Sequence, residues 1–168
     1  MEKVLVLSDS HGDIRTIKKI IKREKDCKTV IHLGDHCFDM DEVKDLTKDR
    51  KVYMVRGNCD WAGAETEELL DILGLKVLIT HGHFYGVKYT YSELIYRARE
   101  LEADLVLFGH THEHLDIENE GLRLYNPGTA SRRTYGDPGY AILYVTANKK
   151  YAIEQRHLNN EKNPFGRI

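Results

Sequence analysis

One pattern recurs along this chain and constrains its fold most: a short apolar run leads into a polar loop, and a glycine lies within that loop or next to it. The runs occupy residues 4–7, 29–33, 52–55, 76–80 and 104–108. Apolar residues at helical spacing follow the first run, at 14–21, and precede the last, at 91–101. Strands that alternate with helices and end in polar loops predict an α/β fold in which several strands run parallel.

The remaining segments extend this pattern without repeating it. Residues 67–72 fit either a helical turn or the first arm of a hairpin through Leu73-Gly74-Leu75, and we favour the hairpin. Four apolar runs separated by turn residues, at 115–118, 122–125, 140–145 and 151–156, predict an antiparallel series. We therefore expect two β-sheets packed face to face with helices on the outer faces, a four-layer α/β/β/α arrangement.

Length and composition fit one domain. A chain of 168 residues buries enough surface for a core without disulfide bonds. We assign residues 1–158 to a single domain and expect 159–168, which are poor in apolar residues, to form a loosely ordered tail. A homodimer is the default expectation for its assembly.

Charge, hydropathy and cysteine content exclude several classes of function. The formal net charge is −2 with no run of five like charges, which argues against binding to nucleic acid. No apolar stretch approaches the ~18 residues of a membrane span. Three cysteines without CxxC spacing, and an N-terminus that runs directly into a strand, indicate a protein of the reducing cytoplasm.

Residue types that bind metals collect in the loops at the predicted strand ends. In an open α/β sheet these loops converge on one rim, where ligands bind. A spacing of two residues places Asp9 and His11 side by side, and His110 and His112 repeat it. The seven residues that we predict to meet at this rim are Asp9, His11, Asp35, Asn58, His81, His110 and His112.

Each of these signals is weak alone, because an aspartate or a histidine near a turn is usually a capping or surface residue. Their joint occurrence at five predicted strand ends favours a metal centre. Carboxylate oxygen and imidazole nitrogen without thiolate suit manganese, iron, cobalt, nickel or zinc better than calcium or magnesium, and we favour manganese.

The motifs in this order resemble the calcineurin-like metallophosphoesterase family. They span most of the chain and are Asp9-x-His11, Gly34-Asp35, Gly57-Asn58-Cys59-Asp60, His81 and Gly109-His110-x-His112. Within the family, the small bacterial and archaeal phosphodiesterases are most similar in length and in Thr80-His81-Gly82-His83 and Asn126-Pro127-Gly128-Thr129. The resemblance implies a metallophosphoesterase sandwich and a metal-dependent phosphoric ester hydrolase.

The resemblance also implies how the site is divided between two divalent cations. One would be held by Asp9, His11 and His112 and the other by Asn58, His81 and His110, with Asp35 bridging. Two such cations, two carboxylates and a bridging hydroxide leave a net charge of about +1, which attracts phosphoryl oxygens. The mechanism we predict is in-line attack of the bridging hydroxide on a small phosphodiester.

One departure from the family concerns the leaving group. Many relatives have a histidine after the Gly-Asn pair, whereas this chain has Cys59, whose thiol is a weak proton donor or simply a small apolar group. We therefore assign assistance of the leaving group to His83, water or the metals themselves, although His83 could equally bind a backbone carbonyl. We predict that Asp60 orients a nearby side chain or water.

Two residues are predicted to contact the substrate phosphate. Asn58 lies among the predicted metal ligands, and Arg132 begins the tandem pair Arg132-Arg133 after the loop 126–131. The fork of an arginine matches phosphate oxygens, although tandem arginines are usually solvated surface residues.

The sequence leaves other functions open. A phosphomonoesterase would carry the same ligands. A non-catalytic scaffold is the rival from another class, since a retromer subunit of similar fold binds proteins. Such scaffolds typically lack some ligands, whereas this chain has the full set. A nuclease would need a basic stripe or stacked aromatic residues along a groove, and neither can be read from the sequence.

Overall fold

The computed structural model describes residues 1–61, 63–135 and 138–158, so the tail predicted at 159–168 lies outside the described residues. Two 3₁₀ segments, Cys37–Val43 and His83–Tyr85, accompany the strands and helices. In chain order the strands and helices are β1 (Glu2–Leu7), α1 (Ile14–Arg23), β2 (Thr29–His32), α2 (Lys44–Thr47), β3 (Lys51–Met54), β4 (Glu67–Ile72), β5 (Leu75–Thr80), α3 (Ser92–Glu100), β6 (Leu105–Leu107), β7 (His114–Asn119), β8 (Leu122–Pro127), β9 (Gly139–Val145) and β10 (Tyr151–His157).

The strands form two five-stranded mixed sheets. The first sheet has the order β10-β9-β1-β2-β3, and the second has the order β4-β5-β6-β8-β7. Strands β1, β2 and β3 run parallel in the first sheet, as β5, β6 and β8 do in the second. The loops after these parallel strands leave each sheet at one edge, which is where the metal-binding residue types stand in the sequence.

Alternation of side chains along the strands builds the core and separates its layers. Val4 and Val6 of β1 join an apolar cluster that both sheets share, whereas Leu5 and Leu7 join a cluster with α1. The second sheet alternates in the same way, and its outer face packs with Leu94 of α3. This is the predicted four-layer α/β/β/α sandwich, with α1 and α3 on the outer faces.

Helix α1 starts directly after the loop that carries two predicted ligands. Asp13 caps it: Oδ1 accepts the backbone N–H of Thr16 at 3.1 Å, and Oδ2 accepts the Thr16 hydroxyl at 2.8 Å. Ile17, Ile20 and Ile21 form its buried face. The cap and the apolar face together fix where the chain between β1 and α1 turns.

Two predictions about the strands have different outcomes. The favoured hairpin is confirmed, because β4 and β5 pair antiparallel on either side of Leu73-Gly74. The single antiparallel series is wrong: β7 and β8 pair in the second sheet, whereas β9 and β10 pair in the first. Strand β9 lies against β1, and β8 lies parallel to β6. The chain crosses between the sheets after β8, which the local alternation of polarity cannot reveal.

The helices are short, and the cysteines form no disulfide bonds. The longest helices, α1 and α3, have 10 and 9 residues. In the described part of the chain, none is long and apolar enough to cross a membrane. All three cysteines are free thiols; Cys27 and Cys37 are buried and Cys59 is exposed.

Candidate metal centre

Six of the seven predicted ligands lie together where the two sheets meet, at the ends of β1, β2, β5 and β6. Their ligand atoms form two groups, each with all atoms within 4.8 Å of one another. The first group is Asp9, His11, Asp35 and His112, and the second is Asp35, His81 and His110. Asp35 belongs to both groups and joins them.

The spacing within the first group suits a single cation. Nε2 of His112 lies 3.1 Å from Oδ1 of Asp9 and 3.1 Å from Nε2 of His11. Nε2 of His11 lies 3.7 Å from Oδ2 of Asp35. Atoms bonded to one ion at ~2.1 Å stand about 3.0–3.5 Å apart, so these side chains need only small adjustments to share an ion.

The second group contains a histidine whose proton position is fixed by the backbone. Nδ1 of His81 lies 2.8 Å from the carbonyl oxygen of Leu33, and Nε2 lies 3.4 Å from Oδ1 of Asp35. A carbonyl only accepts, so Nδ1 carries the proton and the neutral ring turns the Nε2 lone pair towards Asp35. This is the orientation that a metal-bound histidine requires.

Two buried polar atoms in the cluster lack partners. Oδ1 of Asp9 and Nε2 of His81 are buried and have no hydrogen bond among the described residues. They lie 3.9 Å apart. Buried polar atoms without partners cost free energy, and a cation coordinated by both would remove that cost. The residues present therefore fit divalent cations.

The titration behaviour of the cluster points the same way. Burial opposes a charged ring at His81, but the Asp35 carboxylate, 3.4 Å from Nε2, and the charge of Asp9 outweigh burial and raise its pKa. The cluster thus attracts positive charge, and a metal ion would displace the proton. Burial, followed by the charges of His81 and Lys88, lowers the pKa of His110 to about 4, so this ring is neutral near pH 7.

The carboxylate that joins the groups is held in its charged form. Burial opposes the charge of Asp35, but the nearby ring of His81 and a hydrogen bond from the backbone N–H of Cys59 at 2.8 Å outweigh it. The pKa of Asp35 consequently lies well below its usual range. A carboxylate in this state is a metal ligand across the physiological pH range.

Backbone strain is concentrated at the predicted ligands. The φ angles are positive at Asp9 (54°), His11 (45°), Asp35 (56°), His110 (70°) and His112 (61°). This left-handed conformation costs a side-chain-bearing residue about 1–2 kcal/mol. Strain of this kind persists where the surrounding structure enforces it and is typical of functional sites.

Two glycines let the loops approach these carboxylates. A Cβ atom on Gly57 would clash with Oδ1 of Asp35, and one on Gly109 would clash with Oγ of Ser8 and lie 2.7 Å from Oδ2 of Asp9. Any larger residue at either position would push a carboxylate out of place. The glycines at these strand ends therefore serve close packing around the cluster.

The loop after β3 carries three further predicted residues. Asn58 is exposed, and its Nδ2 lies 3.5 Å from Sγ of Cys59. Asp60 accepts two backbone N–H groups, from Gly57 at 2.7 Å and Cys37 at 3.0 Å. The Cys59 N–H binds Asp35, so Asn58 lies beside the groups. Each oxygen of Asp60 accepts one of the backbone N–H groups.

His83, a predicted catalytic residue, lies against the second group. Its ring centroid is 5.3 Å from that of His81 and 6.1 Å from that of His110. Nδ1 of His83 is buried without a hydrogen-bond partner among the described residues, so the structure shows no carbonyl contact at this atom. Burial and the charge of His81 lower the pKa of His83.

The tandem arginines face different surfaces. The backbone N–H of Arg132 donates to Asp13 at 2.9 Å, and its side chain lines a surface depression together with Lys19 and Lys22. The structure therefore does not bring Arg132, the predicted substrate ligand, to the cluster. Nη1 of Arg133 lies 3.1 Å from the position that a Cβ atom on Gly12 would occupy, directly after His11.

A buried hydrogen-bond chain that the sequence did not reveal supports the loop between β1 and α1. Nδ1 of His32 accepts the N–H of Gly34 at 3.2 Å, so Nε2 carries the proton and donates to Oγ of Ser10 at 2.9 Å. Ser10 donates to Oδ2 of Asp39 at 2.8 Å, which also accepts the N–H of Gly12 at 2.7 Å. The available signal was a histidine inside an otherwise apolar strand.

A sandwich of this topology with carboxylates and imidazoles gathered at its rim defines the class of metallophosphoesterases. The sequence model of the calcineurin-like phosphoesterase superfamily domain matches residues 2–148, and the chain belongs to this family. The prediction drawn from the motifs is confirmed. Membership makes the protein a phosphoesterase whose site takes divalent metal ions.

Individual relatives agree with this assignment. YsnB of Bacillus subtilis (strain 168), a probable metallophosphoesterase, is 40% identical over 147 residues, which cover 83% of this chain and 82% of the relative. The solved structure of a novel archaeal phosphodiesterase is similar with a TM-score of 0.74 and 27% identity, covering 92% of this chain and 99% of that one. A mutant of Vps29 from Entamoeba histolytica has a TM-score of 0.72 and 25% identity, over 94% of this chain and 99% of that one.

Proposed function

We propose that this protein is a phosphodiesterase that hydrolyses small phosphodiesters with two divalent cations. The observation that carries the proposal is the position of Asp35, whose carboxylate is common to both ligand groups. A single carboxylate between two sets of ligands is the arrangement that a two-metal hydrolase needs. Similarity to a protein described as an archaeal phosphodiesterase supports the choice of diesters.

The division of ligands follows the two groups. Asp9, His11 and His112 would hold one cation, and His81, His110 and Asn58 the other, with Asp35 shared. When bound, the cations would supply positive charge to the phosphoryl oxygens and a water nucleophile of lowered pKa. Asn58 comes from the adjacent loop, and its proposed role includes contact with the substrate phosphate.

The chain orients its ligands before any substrate arrives. Oγ of Ser8 and the backbone N–H of His110, at 3.1 Å, both donate to Oδ2 of Asp9, which leaves Oδ1 facing the cluster. The carbonyl of Leu33 fixes the ring of His81 in the same sense. Such supporting contacts typically change metal affinity or activity by about 10–100-fold when they are removed.

The proton donors near the cluster are weak, so the site gives the leaving group little assistance. Burial and the charge of Asp35 raise the pKa of Cys59 to about 11, so the thiol stays protonated and donates weakly. His83 is the nearby ring that we propose to assist the leaving oxygen. With a neutral ring as donor, esters with good leaving groups should react fastest.

We further propose manganese as the native metal and the cytoplasm as the location. The described ligand groups consist of oxygen and nitrogen donors, which suit manganese among the first-row metals. The three free thiols fit a reducing compartment. Reloading metal-free protein with manganese, nickel, cobalt, zinc or magnesium and comparing turnover would rank the metals.

The test of the function is hydrolysis by defined metal forms. Metal-free protein reloaded with manganese should cleave bis(p-nitrophenyl) phosphate faster than p-nitrophenyl phosphate, and Asp35→Asn should abolish cleavage. Asp49→Asn, at an exposed aspartate beyond α2, is the matched control and should retain full activity. Faster cleavage of the monoester would replace the proposal by a phosphomonoesterase.

The alternative outside enzymology is a protein-binding scaffold. The structural similarity to Vps29 is the observation that favours it. Metal binding without turnover of any phosphate ester would support the scaffold and reject the phosphodiesterase. Turnover that depends on Asp35 would reject the scaffold as the main function.

A further inference from the structure

A groove of about 740 Å³ adjoins the first ligand group. Its walls come from the loop after β6, the loop after β8 and the end of β10. His112, a member of the first group, is one of its lining residues, so the groove borders the predicted metal centre. Its volume lies in the range of sites that bind small molecules.

Arg133 supplies positive charge where the groove meets the first group. Its side chain lines the groove, and Nη1 lies 3.1 Å from the position of a Cβ atom on Gly12, the residue after His11. Within residues 1–61, 63–135 and 138–158 its guanidinium forms no salt bridge. The fork is therefore available to the oxygens of a phosphate held at the cluster.

The groove beyond Arg133 combines an aromatic ring with hydrogen-bonding groups. The side chain of Tyr135 is 100% exposed although it lines the groove, so its ring face is open to a ligand. Polar side chains, among them His112, His114 and His157, form much of the remaining lining. An alkyl group would displace water from these side chains without replacing its hydrogen bonds, whereas a polar ring could both stack and hydrogen-bond.

We propose that this groove binds the alcohol portion of the substrate, with Arg133 contacting the phosphate and Tyr135 stacking on a polar ring such as a sugar or nucleobase. The proposal rests on the proposed phosphoesterase function and makes the organic group a determinant of specificity. Phosphate esters of polar, ring-bearing alcohols are then preferred over esters of simple alkyl alcohols. Tyr135 and Arg133 act on different parts of the same ligand, which separates their effects.

Binding of two phosphate monoesters of equal charge tests the groove independently of turnover. The manganese-loaded full chain is titrated calorimetrically with thymidine monophosphate and with methyl phosphate, before release of inorganic phosphate is detectable. Tyr135→Ala should weaken binding of thymidine monophosphate by about three- to tenfold and leave methyl phosphate unchanged. Tyr135→Phe, which keeps the ring, should restore the affinity.

Two further variants locate the effect. Arg133→Ala should weaken both probes equally, by about tenfold, because both carry the phosphate. Phe84→Ala removes an exposed ring beside His83, on the side of the second group, and should change neither affinity. Equal affinity of the two probes for the unmodified protein, or loss of the preference in Phe84→Ala instead of Tyr135→Ala, would overturn the proposal.

The outcome is separable from the proposed function. A preference for thymidine monophosphate that depends on Tyr135 supports the groove even if no ester is hydrolysed. Hydrolysis that depends on Asp35, combined with equal binding of the two probes, supports the phosphodiesterase and rejects the groove.

Discussion

At the scale of single residues, the geometry of the candidate centre depends on how closely the loops approach Asp35 and Asp9. Gly57 and Gly109 occupy positions where a Cβ atom would strike a neighbouring oxygen. The φ angle of Gly57 is not in the left-handed region, so an alanine there would be opposed by the contact and not by its backbone conformation. Substitution at this position isolates the effect of close approach.

Gly57→Ala should therefore displace the carboxylate of Asp35. We expect metal affinity to fall by about tenfold or more and stability by about 1–3 kcal/mol. Gly121→Ala is the control for metal affinity: a Cβ atom there meets nothing within 4 Å, and alanine at its φ of +82° strains only a distant turn. Metal titration of both variants checks this; unchanged affinity in Gly57→Ala would show that the close contact does not govern the site.

Cys59 offers a prediction about the leaving group. Cys59→His should place an imidazole where many relatives have one and raise kcat for phosphodiesters with poor leaving groups by ~10²-fold. Esters of p-nitrophenol should gain less, since their leaving group needs little protonation. Cys59→Ser, without a better donor, should match the unmodified protein; a histidine variant that gains nothing on poor leaving groups would rule out this role for the position.

The sequence predicted the residue types of the site well and their orientations poorly. Asp9, His11, Asp35, His81, His110 and His112 meet because parallel strands bring their ends together, which the order of motifs reveals. Which of two adjacent arginines turns towards the cluster depends on the turn after Ser131, and here it is Arg133. No periodicity encodes that choice.

At the scale of elements, the 3₁₀ segment Cys37–Val43 supports the loop between β1 and α1. Its Asp39 accepts hydrogen bonds from the Gly12 N–H and the Ser10 hydroxyl, so it restrains the backbone on both sides of His11. The β2 strand contributes His32 to the same chain of hydrogen bonds. Asp39, which is not a proposed metal ligand, thus helps to position His11, which is one.

Asp39→Ala should loosen this loop without removing a ligand. We expect about a tenfold loss of metal affinity, as is usual when a supporting contact is removed. Asp41→Ala, an exposed aspartate of the same segment, should have no effect. Isothermal titration with manganese distinguishes the two; equal affinities would mean that Asp39 has only a structural role elsewhere.

The cap of α1 predicts how stability depends on pH. Although burial opposes its charge, hydrogen bonds from the backbone of Arg132 and from Thr16 lower the pKa of Asp13. A lowered pKa in the folded state means that the charged cap stabilises fully above the ordinary aspartate pKa and is lost as pH falls through the lowered value. Asp13→Ala should cost about 1 kcal/mol at pH 7.

Urea unfolding of the unmodified protein and of Asp13→Ala over a pH series measures this difference. The gap between the two free energies of unfolding should shrink only below the ordinary aspartate pKa of about 3.9. A gap that stays constant down to the acid unfolding transition would contradict the contribution of the charge.

Local sequence patterns predict some of the strand pairings and not others. The β4–β5 hairpin was recoverable because a Leu-Gly turn separates two apolar arms. The separation of β7 and β8 from β9 and β10 was not, since the partners that decide it, β6 for β8 and β1 for β9, precede these strands in the chain and are not encoded in their local sequence. Strand β9 pairs with β1, more than a hundred residues earlier, and such contacts leave no local trace.

At the scale of the whole molecule, the candidate centre joins the two sheets. Asp9, His11 and Asp35 follow strands of the first sheet, whereas His81, His110 and His112 follow strands of the second. Cations bound between these loops would link the two halves of the sandwich. Metal binding and global stability are consequently coupled.

Manganese at a hundredfold excess over its Kd should stabilise the fold by ~2.7 kcal/mol. For a domain of this size such a gain corresponds to a rise in Tm of about 5–10 °C. Chelation with EDTA should reverse the rise, and Asp35→Asn should lose most of it. A Tm that does not respond to manganese in the unmodified protein would contradict the coupling.

The central claim is that Asp35 joins two metal sites. Anomalous diffraction from crystals of manganese-loaded protein tests it most directly. We predict two manganese peaks about 3.5–4 Å apart, one at each ligand group, with the Asp35 carboxylate between them. A single peak, or two peaks of which only one contacts Asp35, would contradict the claim.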